Sequence, residues 1–257
     1  MPEFCKVERD GHLLVVTLNR PDVMNALHPP ANFELEKVFD DFVADPDLWV
    51  AILTGAGDRA FSAGNDLKFT AKAGGKLDIN PKGFAGITAR FDNPKPLIAA
   101  VNGVAMGGGF EIALACDLIV ASENAVFALP EPRVGLAALA GGMHRLPRAI
   151  PLKHAMGMLL TGRRVSAREG ERLGFVNEVV PQAELMAAAK RWAAQILECA
   201  PLSVRASKQS AYDGLDRPVE EAMRARYEQV VAMVKSEDFL EGPRAFAEKR
   251  PPRWTGR

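Results

Sequence analysis

The amino-acid sequence predicts an α/β fold that continues into a helical C-terminal region. Short apolar runs alternate with helical patterns up to residue 180, whereas only helical patterns follow Pro181. The apolar runs do not alternate strictly with polar residues, which indicates a sheet covered on both faces. With 257 residues and 48% hydrophobic side chains, the chain can bury a large core without disulfides or a structural metal. We therefore divide it into a core, residues 1–180, and a helical region, residues 181–257.

Four apolar runs are predicted to be buried strands, because each is closed by glycine or by polar turn residues. They cover residues 13–18, 49–54, 97–101 and 117–122. Asn19-Arg20-Pro21 stops the first, Gly55 the second and Asn102-Gly103 the third.

Four other segments are predicted to be helices, because their apolar residues recur at the helical period. They cover residues 25–43, 110–116, 184–197 and 218–234. In the first of them, Leu35, Phe39 and Phe42 share one face. Between residues 72 and 86 the pattern dissolves into Gly, Pro, Lys and Asp, and we expect a mobile loop there.

Composition and charge exclude several classes of function. The 32 basic and 32 acidic side chains cancel, so the basic excess of a duplex-binding surface is missing. The first ten residues are polar, unlike a secretory signal, and Asn102, Glu111 and Asp117 interrupt the longest apolar stretch. Three distant cysteines and four scattered histidines form no ligand cluster. We expect a cytoplasmic protein with no metal, no nucleic-acid partner and no membrane span.

The strongest local feature is a run of three glycines, residues 107–109, between a strand and a helix. Glycines let a ligand approach the backbone closely, and the unpaired N–H groups of the helix start attract negative charge. A tight packing turn explains the glycines equally well. A phosphate-binding P-loop is excluded, because Phe110 and Glu111 follow instead of Lys and Ser or Thr.

Two further glycine-containing turns follow strands. Residues 61–68 could supply another backbone N–H near Asn65, although this segment alone is typical of any loop. Residues 55–60 resemble the Gly-x-Gly-x-x-Gly/Ala turn that binds dinucleotides. No amphipathic helix follows them and no second strand ends in an acid at the required distance, so we reject a dinucleotide site.

Two glutamates are candidates for proton transfer. Glu111 lies one turn into the helix after the glycines, where an acid would repel phosphate but suits a proton carrier beside an enolate. Its neighbours are apolar, a setting that raises the pKa of a carboxylic acid. Glu131 stands between two prolines on a rigid segment. A surface role is the alternative for either residue, including an ion pair between Glu131 and Arg133.

Together these segments resemble the crotonase superfamily, the enoyl-CoA hydratases and isomerases. The motifs that carry the resemblance follow one another in family order and spacing along essentially the whole chain. They are Asn19-Arg20-Pro21 with Asn25-Ala26-Leu27, Phe61-Ser-Ala-Gly-Asn-Asp-Leu-Lys68, Ala99-Ala-Val-Asn-Gly103, Met106-Gly-Gly-Gly-Phe-Glu111, residues 127–135, Leu160-Thr-Gly-Arg163, residues 174–180 and residues 245–250. Residues 83–88 and 241–250 look similar to carnitinyl-CoA dehydratases.

The resemblance implies the crotonase fold, a spiral of ββα repeats with a helical C-terminal trimerisation region, assembled as a homotrimer or as a hexamer. Family members bind an acyl-CoA thioester as substrate, with no separate cofactor, and stabilise its enolate with two backbone N–H groups. By position these N–H groups are those of Asn65 and Gly108, and the two hydratase glutamates are Glu111 and Glu131. The residues implied in binding coenzyme A are Met24, Asn25, Ala26, Ala63, Asn65, Asp66, Leu67 and Lys68, with Phe246 and Lys249 from a neighbouring subunit.

One position departs from the family pattern. Typical hydratases have Pro-Gly in the loop before the next Gly-Gly pair, where this chain has Ala138 and Leu139. Carnitinyl-type enzymes carry an acid there, so the resemblance implies that Leu139 crowds the acyl pocket and argues against carnitine. We expect an enoyl-CoA hydratase that adds water reversibly, in syn geometry, to a trans-2-enoyl-CoA. An isomerase or a carnitinyl-CoA dehydratase-like enzyme is the alternative.

Overall fold

The computed structural model describes residues 2–72, 74 and 80–257. The strands in this part of the chain are β1 Cys5–Asp10, β2 Leu13–Leu18, β3 Val50–Gly55, β4 Ala60–Ser62, β5 Leu97–Val101, β6 Val104–Met106, β7 Leu118–Ser122, β8 Val126–Ala128, β9 Val165–Ser166 and β10 Glu178–Val180. The helices are α1 Pro29–Ala44, α2 Leu67–Lys72, α3 Gly108–Ala115, α4 Gly142–Ala149, α5 Leu152–Thr161, α6 Ala167–Leu173, α7 Leu185–Leu197, α8 Pro201–Gly214, α9 Val219–Arg224, α10 Glu228–Val234 and α11 Glu237–Ala247. Short 3-10 turns cover Pro21–Val23, Phe84–Gly86, Glu131–Val134 and Gln182–Glu184.

The strands form two sheets that the chain visits in turn. A six-stranded sheet has the order β1-β2-β3-β5-β7-β10, and a four-stranded sheet has the order β4-β6-β8-β9. The pairs β3/β4, β5/β6 and β7/β8 each place one strand in either sheet. Helices follow the strand pairs, so the chain winds as a spiral of ββα units. This confirms the predicted fold class.

The core lies on both faces of the six-stranded sheet. On one face, Ile52 and Ile98 join a buried cluster with the small and aliphatic residues of α7. On the other face, three phenylalanines are at most 1% exposed: Phe39 of α1, Phe61 of β4 and Phe110 of α3. Parallel pairing of β2, β3, β5 and β7 explains the continuous apolar runs, since such strands face protein on both sides.

The edge strand β1 has no counterpart in the predicted elements. Only Cys5 of this strand is buried, and the remaining five residues are exposed. It pairs antiparallel with β2 through all six of its residues. Charged residues dominate β1, so it lacks the apolar run by which the other strands of this sheet could be recognised.

The first predicted helix begins later than expected, at Pro29 instead of residue 25. Met24 and Asn25 have left-handed backbone angles, with φ of 57° and 53°. Leu27 is bridged to Asn65 in the neighbouring turn. Prolines at the first helical positions fit the observed start, because proline lacks the N–H that the first turn leaves unpaired.

The last predicted helix, residues 218–234, is in fact two helices, α9 and α10. Ala225 adopts an extended conformation with ψ of 150°. Both broken ends are satisfied by side chains: the Tyr227 hydroxyl donates to the Ala222 carbonyl at 2.8 Å, and the Gln209 side chain accepts from the Gln229 N–H at 2.8 Å. These bonds replace the helical hydrogen bonds that the backbone groups lose at the interruption.

The prediction of a mobile loop between residues 72 and 86 is wrong for residues 80–86. Asn80 and Ala85 are buried, and both are hydrogen-bonded to Asn32 of α1. Gly86 lies so close to Glu36 that a Cβ would fall 2.4 Å from the Glu36 Cα. Residues 73 and 75–79 of the expected loop lie outside the described residues.

The C-terminal tail is fastened to α11 by two carboxylates, those of Asp238 and of Glu241, which accepts from the Arg253 N–H at 2.8 Å. Asp238, 3% exposed, accepts hydrogen bonds from the Thr255 N–H at 2.7 Å, the Thr255 hydroxyl at 3.1 Å and the Gly256 N–H at 2.9 Å. The Trp254 indole also donates to the Glu198 carbonyl at 2.8 Å. The tail is therefore part of the packed structure.

We expect Asp238→Asn to loosen this tail. The amide keeps the shape of the carboxylate but replaces acceptor capacity by an NH2 group facing N–H donors, a loss of about 1–3 kcal/mol. Urea unfolding measures the loss of stability, and limited proteolysis measures release of the tail. Glu237→Gln, an exposed change one residue away, is the matched control and should leave both readouts unchanged. Equal behaviour of the two variants would contradict the assignment.

Candidate active site

Two turns meet at the same edge of the four-stranded sheet. Strands β4 and β6 are parallel, so the chain leaves both at one edge. Gly64 follows β4 with φ of 86°, and a Cβ on it would lie 2.7 Å from the Met106 carbonyl oxygen and 2.9 Å from the Gly108 nitrogen. Only glycine permits this contact. The turns that sequence analysis singled out separately are therefore packed directly against each other.

Each turn carries a backbone N–H with no partner among the described residues: those of Asn65 and Gly108. Around Asn65, the Leu27 N–H donates to the Gly64 carbonyl at 2.8 Å and the Asp66 N–H donates to the Leu27 carbonyl at 2.9 Å. The bridge thus uses the residues on either side of Asn65 and leaves its own N–H unused. Gly108 is the first residue of α3, where N–H groups have no intrahelical partner.

The three glycines of residues 107–109 leave room for three different neighbours. A Cβ on Gly109 would lie 2.0 Å from the Ser62 carbonyl oxygen, and one on Gly108 would lie 2.6 Å from the Phe84 ring. A Cβ on Gly107 would lie 3.0 Å from Glu131 Oε1. The packing-turn interpretation is therefore correct for Gly109, while Gly107 and Gly108 admit a carboxylate and a ring to the site.

Glu111 sits in the first turn of α3 and is only 4% exposed. Its Oε1 accepts a hydrogen bond from the Gly142 N–H, at the start of α4, at 2.9 Å. Burial, followed by the nearby charge of Glu131, raises its pKa to about 7, although the bond from Gly142 acts in the opposite direction. A carboxyl group with this pKa can both take up and release a proton near neutral pH.

Glu131 begins the 3-10 turn Glu131–Val134 and points back over Gly107. Its Oε2 is buried and has no hydrogen-bond partner in the described part of the chain. Burial raises the pKa of this group as well. Arg133, the alternative ion-pair partner, donates instead to the Thr161 carbonyl at 2.9 Å. Glu131 Oε2 is therefore an unsatisfied acceptor next to the cavity that the side chain lines.

One cavity of about 1500 Å³ connects these groups. Asn65, Gly108, Glu111, Glu131 and Leu139 all line it. Leu139 is 69% exposed, and its N–H donates to the Ala137 carbonyl at 2.8 Å. That N–H is consequently engaged within its own loop.

The segments implied in coenzyme A binding lie beside the Asn65 turn. The Ala63 N–H donates to the Met24 carbonyl at 2.9 Å, which places residues 24–26 alongside residues 63–66. Two side chains of this group are committed to the chain itself: Asn25 donates to the Ala56 and Ala60 carbonyls, and Asp66 pairs with Arg20. Leu67 and Lys68 are exposed at the start of α2.

Phe246 and Lys249 lie apart from the other predicted site residues. Phe246, in α11, is 87% exposed, and Lys249 follows that helix. Neither lines the cavity that contains the two glutamates. Their contribution to a neighbouring subunit stays a prediction.

Arg145 shares the cavity with Glu111 and was not predicted from the sequence as a site residue. The half-buried guanidinium donates to the Thr88 carbonyl at 2.8 Å and forms no ion pair with a described carboxylate. Its positive charge favours the carboxylate form of Glu111, opposing the larger effect of burial on that pKa. Helix α4 brings the two together, since it begins at the Gly142 N–H that holds Glu111. No motif around Arg145 signals this arrangement.

Comparisons with known proteins agree along the whole chain. A sequence profile of the enoyl-CoA hydratase/isomerase family matches residues 8–257. The chain belongs to the enoyl-CoA hydratase/isomerase family. It is 48% identical over 262 residues to the carnitinyl-CoA dehydratase of Escherichia coli (strain K12), with 100% of both chains covered. The resemblance drawn from the motifs is thereby confirmed.

Solved structures give the same result. The crystal structure of an enoyl-CoA hydratase from Mycobacterium tuberculosis H37Rv matches with a TM-score of 0.92 at 39% identity, covering 99% of each chain. An enoyl-CoA hydratase from Mycobacterium marinum matches with a TM-score of 0.92 at 40% identity, again over 99% of each chain. Family membership makes the protein a lyase with hydratase or dehydratase activity on coenzyme A thioesters.

Within residues 2–72, 74 and 80–257, no group of three His, Cys, Asp or Glu side chains could hold a metal ion. In the same residues, the helices are too short or too polar to cross a membrane.

The raised pKa of Glu111 predicts a pH-dependent stability. Its pKa is about 7 in the folded chain against an ordinary value of 4.5, so folding favours the protonated form. The associated stability is present at low pH and is lost as pH rises from 4.5 to about 7, a difference of about 3 kcal/mol. Glu111→Gln should therefore be about 2–3 kcal/mol more stable, relative to wild type, at pH 8 than at pH 5. Urea unfolding at both pH values tests this, and a pH-independent difference would contradict it.

Arg145→Gln should raise the pKa of Glu111 further, because it removes the positive charge that favours the carboxylate. Carbon-13 NMR of the glutamate carboxyl groups, recorded as a pH titration, measures the change. Arg148→Gln is the control: that side chain lies in the same helix but pairs with Asp216 at 3.3 Å. A Glu111 titration that does not move in Arg145→Gln would show that the two charges do not interact.

Proposed function

We propose that the protein catalyses the reversible syn addition of water to a trans-2-enoyl-CoA. The observation that carries the proposal is the convergence on one cavity of two unbonded N–H groups and two carboxyl groups, one buried and one half-buried. The N–H groups belong to Asn65 and Gly108, and the carboxyl groups to Glu111 and Glu131.

The N–H groups would hold the thioester carbonyl oxygen. Addition of water at Cβ of the enoyl group moves electrons onto this oxygen and creates an enolate. Backbone donors that are fixed before the reaction stabilise such a developing charge, and loss of one donor typically costs about 3–4 kcal/mol of transition-state stabilisation. Gly108 adds the partial positive charge of the α3 N-terminus.

The two carboxyl groups would divide the proton transfers. The ionised member of the pair takes a proton from water as the water oxygen bonds to Cβ. The protonated member delivers its proton to Cα as the enolate collapses back to the thioester. The pair ends with its protonation states exchanged, and the reverse sequence dehydrates a 3-hydroxyacyl-CoA. A pKa of about 7 for Glu111 suits this exchange.

Apolar side chains line part of the cavity and suit an uncharged acyl chain. They include Ile87, Leu136 and Leu139, and Arg145 contributes a positive charge beside Glu111.

A second candidate is the dehydration of carnitinyl-CoA, favoured by the 48% identity to a protein of that name. The same carboxyl groups would act in the reverse direction, removing the Cα proton and protonating the departing hydroxyl. The choice between the two lies in the acyl group and not in the chemistry.

We expect crotonyl-CoA to lose its conjugated-thioester absorbance in the presence of the protein. Glu111→Gln and Glu131→Gln should each reduce kcat by at least about 100-fold while the affinity for acyl-CoA changes little, because an amide keeps the shape and loses the proton chemistry. Glu123→Gln is the control, since Glu123 is exposed and does not line the cavity.

A panel of substrates separates the candidates. Faster dehydration of carnitinyl-CoA than of 3-hydroxybutyryl-CoA would favour the second. Conversion of a 3-enoyl-CoA to a 2-enoyl-CoA without hydration would identify an isomerase. No turnover of short, long or branched 2-enoyl-CoA thioesters would overturn the proposed hydration.

A further inference from the structure

A backbone turn with unfavourable φ angles, residues 24–25, lies beside the Asn65 turn. Met24 and Asn25 both have positive φ, at 57° and 53°, a region that residues other than glycine rarely occupy. Consecutive residues hold such angles only where the surrounding structure imposes them, and such places cluster at functional sites.

Polar side chains impose this geometry. The Asn25 amide donates to the Ala56 carbonyl at 3.0 Å and to the Ala60 carbonyl at 2.8 Å, and its oxygen accepts from the Arg20 N–H at 3.0 Å. The Ser62 hydroxyl donates to the Asn25 carbonyl at 2.8 Å. Residue 25 is therefore fixed on both its backbone and its side chain.

The Arg20 guanidinium joins this turn to the Asn65 turn. One of its nitrogens donates to the Ala26 carbonyl, and another lies 3.1 Å from Asp66 Oδ2. The Arg20 and Asp66 side chains are only 18% and 12% exposed, so solvent screens the pair weakly. The planar guanidinium carries several N–H donors and can therefore bind two acceptors at once, whereas a lysine presents a single point charge.

The hydrogen bonds of Asp66 also restrict the backbone of its neighbour Asn65. The Asp66 N–H donates to the Leu27 carbonyl at 2.9 Å, and Asp66 Oδ1 accepts from the Phe69 N–H at 3.1 Å, at the start of α2. Backbone, side chain and following helix are thus all fixed at residue 66. The peptide plane that carries the Asn65 N–H lies between this anchor and Gly64, which is packed against Gly108.

We infer that Arg20 is a positioning residue: its ion pair with Asp66 fixes the direction of the Asn65 N–H toward the substrate oxygen. The inference rests on the proposed function, in which this N–H stabilises the enolate. It gives Asp66 a role inside the chain, holding the turn, in addition to any contact with coenzyme A.

The test compares Arg20→Met, Arg20→Lys and Asp66→Asn with a matched control. Arg59→Met is the control, because Arg59 donates at 2.9 Å to the Pro21 carbonyl of the same loop but does not contact the Asn65 turn. Crotonyl-CoA hydration gives kcat and KM. Acetoacetyl-CoA, which forms an absorbing enolate when its carbonyl oxygen is stabilised, reports the oxyanion site without turnover.

We expect kcat to fall at least about 10-fold in Arg20→Met and Asp66→Asn, with KM within about threefold of wild type, since a misdirected donor weakens the transition state more than binding. Arg20→Lys should recover part of kcat. The enolate absorbance of bound acetoacetyl-CoA should fall in parallel, and Arg59→Met should match wild type in every readout.

The outcomes separate the inference from the proposed function. If Arg20→Met and Asp66→Asn give the same enolate absorbance as wild type, the positioning role alone is overturned. A wild-type protein with neither turnover nor enolate signal overturns the proposed function and the inference with it. Should Arg20→Met fail to fold, Asp66→Asn and Arg20→Lys decide by the same criteria.

Discussion

The site depends on a close approach of two backbone segments at Gly64. A side chain at that position would collide with the Met106 carbonyl and the Gly108 nitrogen. The approach is possible because β4 and β6 run parallel and end at one edge of the small sheet. Phe110, fully buried with its ring centroid 5.1 Å from those of Phe127 and Phe175, fixes α3 relative to this edge. The fold therefore determines the separation of the two free N–H groups.

The surroundings of Glu111 offset part of the free-energy cost of burying its carboxylate. An isolated carboxylate in an apolar interior is strongly disfavoured, and the raised pKa expresses that cost. The N–H at the start of α4 and the charge of Arg145 offset part of it. The balance leaves the group near the pH at which it exchanges protons readily. Glu131 is adjusted in the same direction by burial, and the proximity of the two carboxyl groups raises the pKa of Glu111 further.

The sequence was sufficient to predict the fold class and the central strands and to single out Glu111, because each has a local signal, whereas the role of Glu131 was implied by the resemblance. Apolar runs mark β2, β3, β5 and β7, and the glycines mark the turn before Glu111. The short strands β4, β6 and β8 could not be predicted, since three residues carry no measurable periodicity. Arg145 and the contact between Arg20 and Asp66 were missed for a different reason: these contacts join residues distant in sequence. Asn32, which fastens residues 80–86, was missed in the same way.

The exposed strand β1 has a consequence for behaviour in solution. It lies at the end of the six-stranded sheet and pairs with β2 alone, while the Glu34 carboxylate accepts the N–H of its first residue, Cys5, at 2.9 Å. Edge strands template aggregation when they are exposed, flat and apolar. Here Lys6, Glu8, Arg9 and Asp10 place charges of both signs along the strand, and Val7 is the single apolar residue that is exposed. A second sheet edge docking here would have to desolvate these charges, which protects the protein from strand-to-strand aggregation at concentrations where an apolar edge would associate.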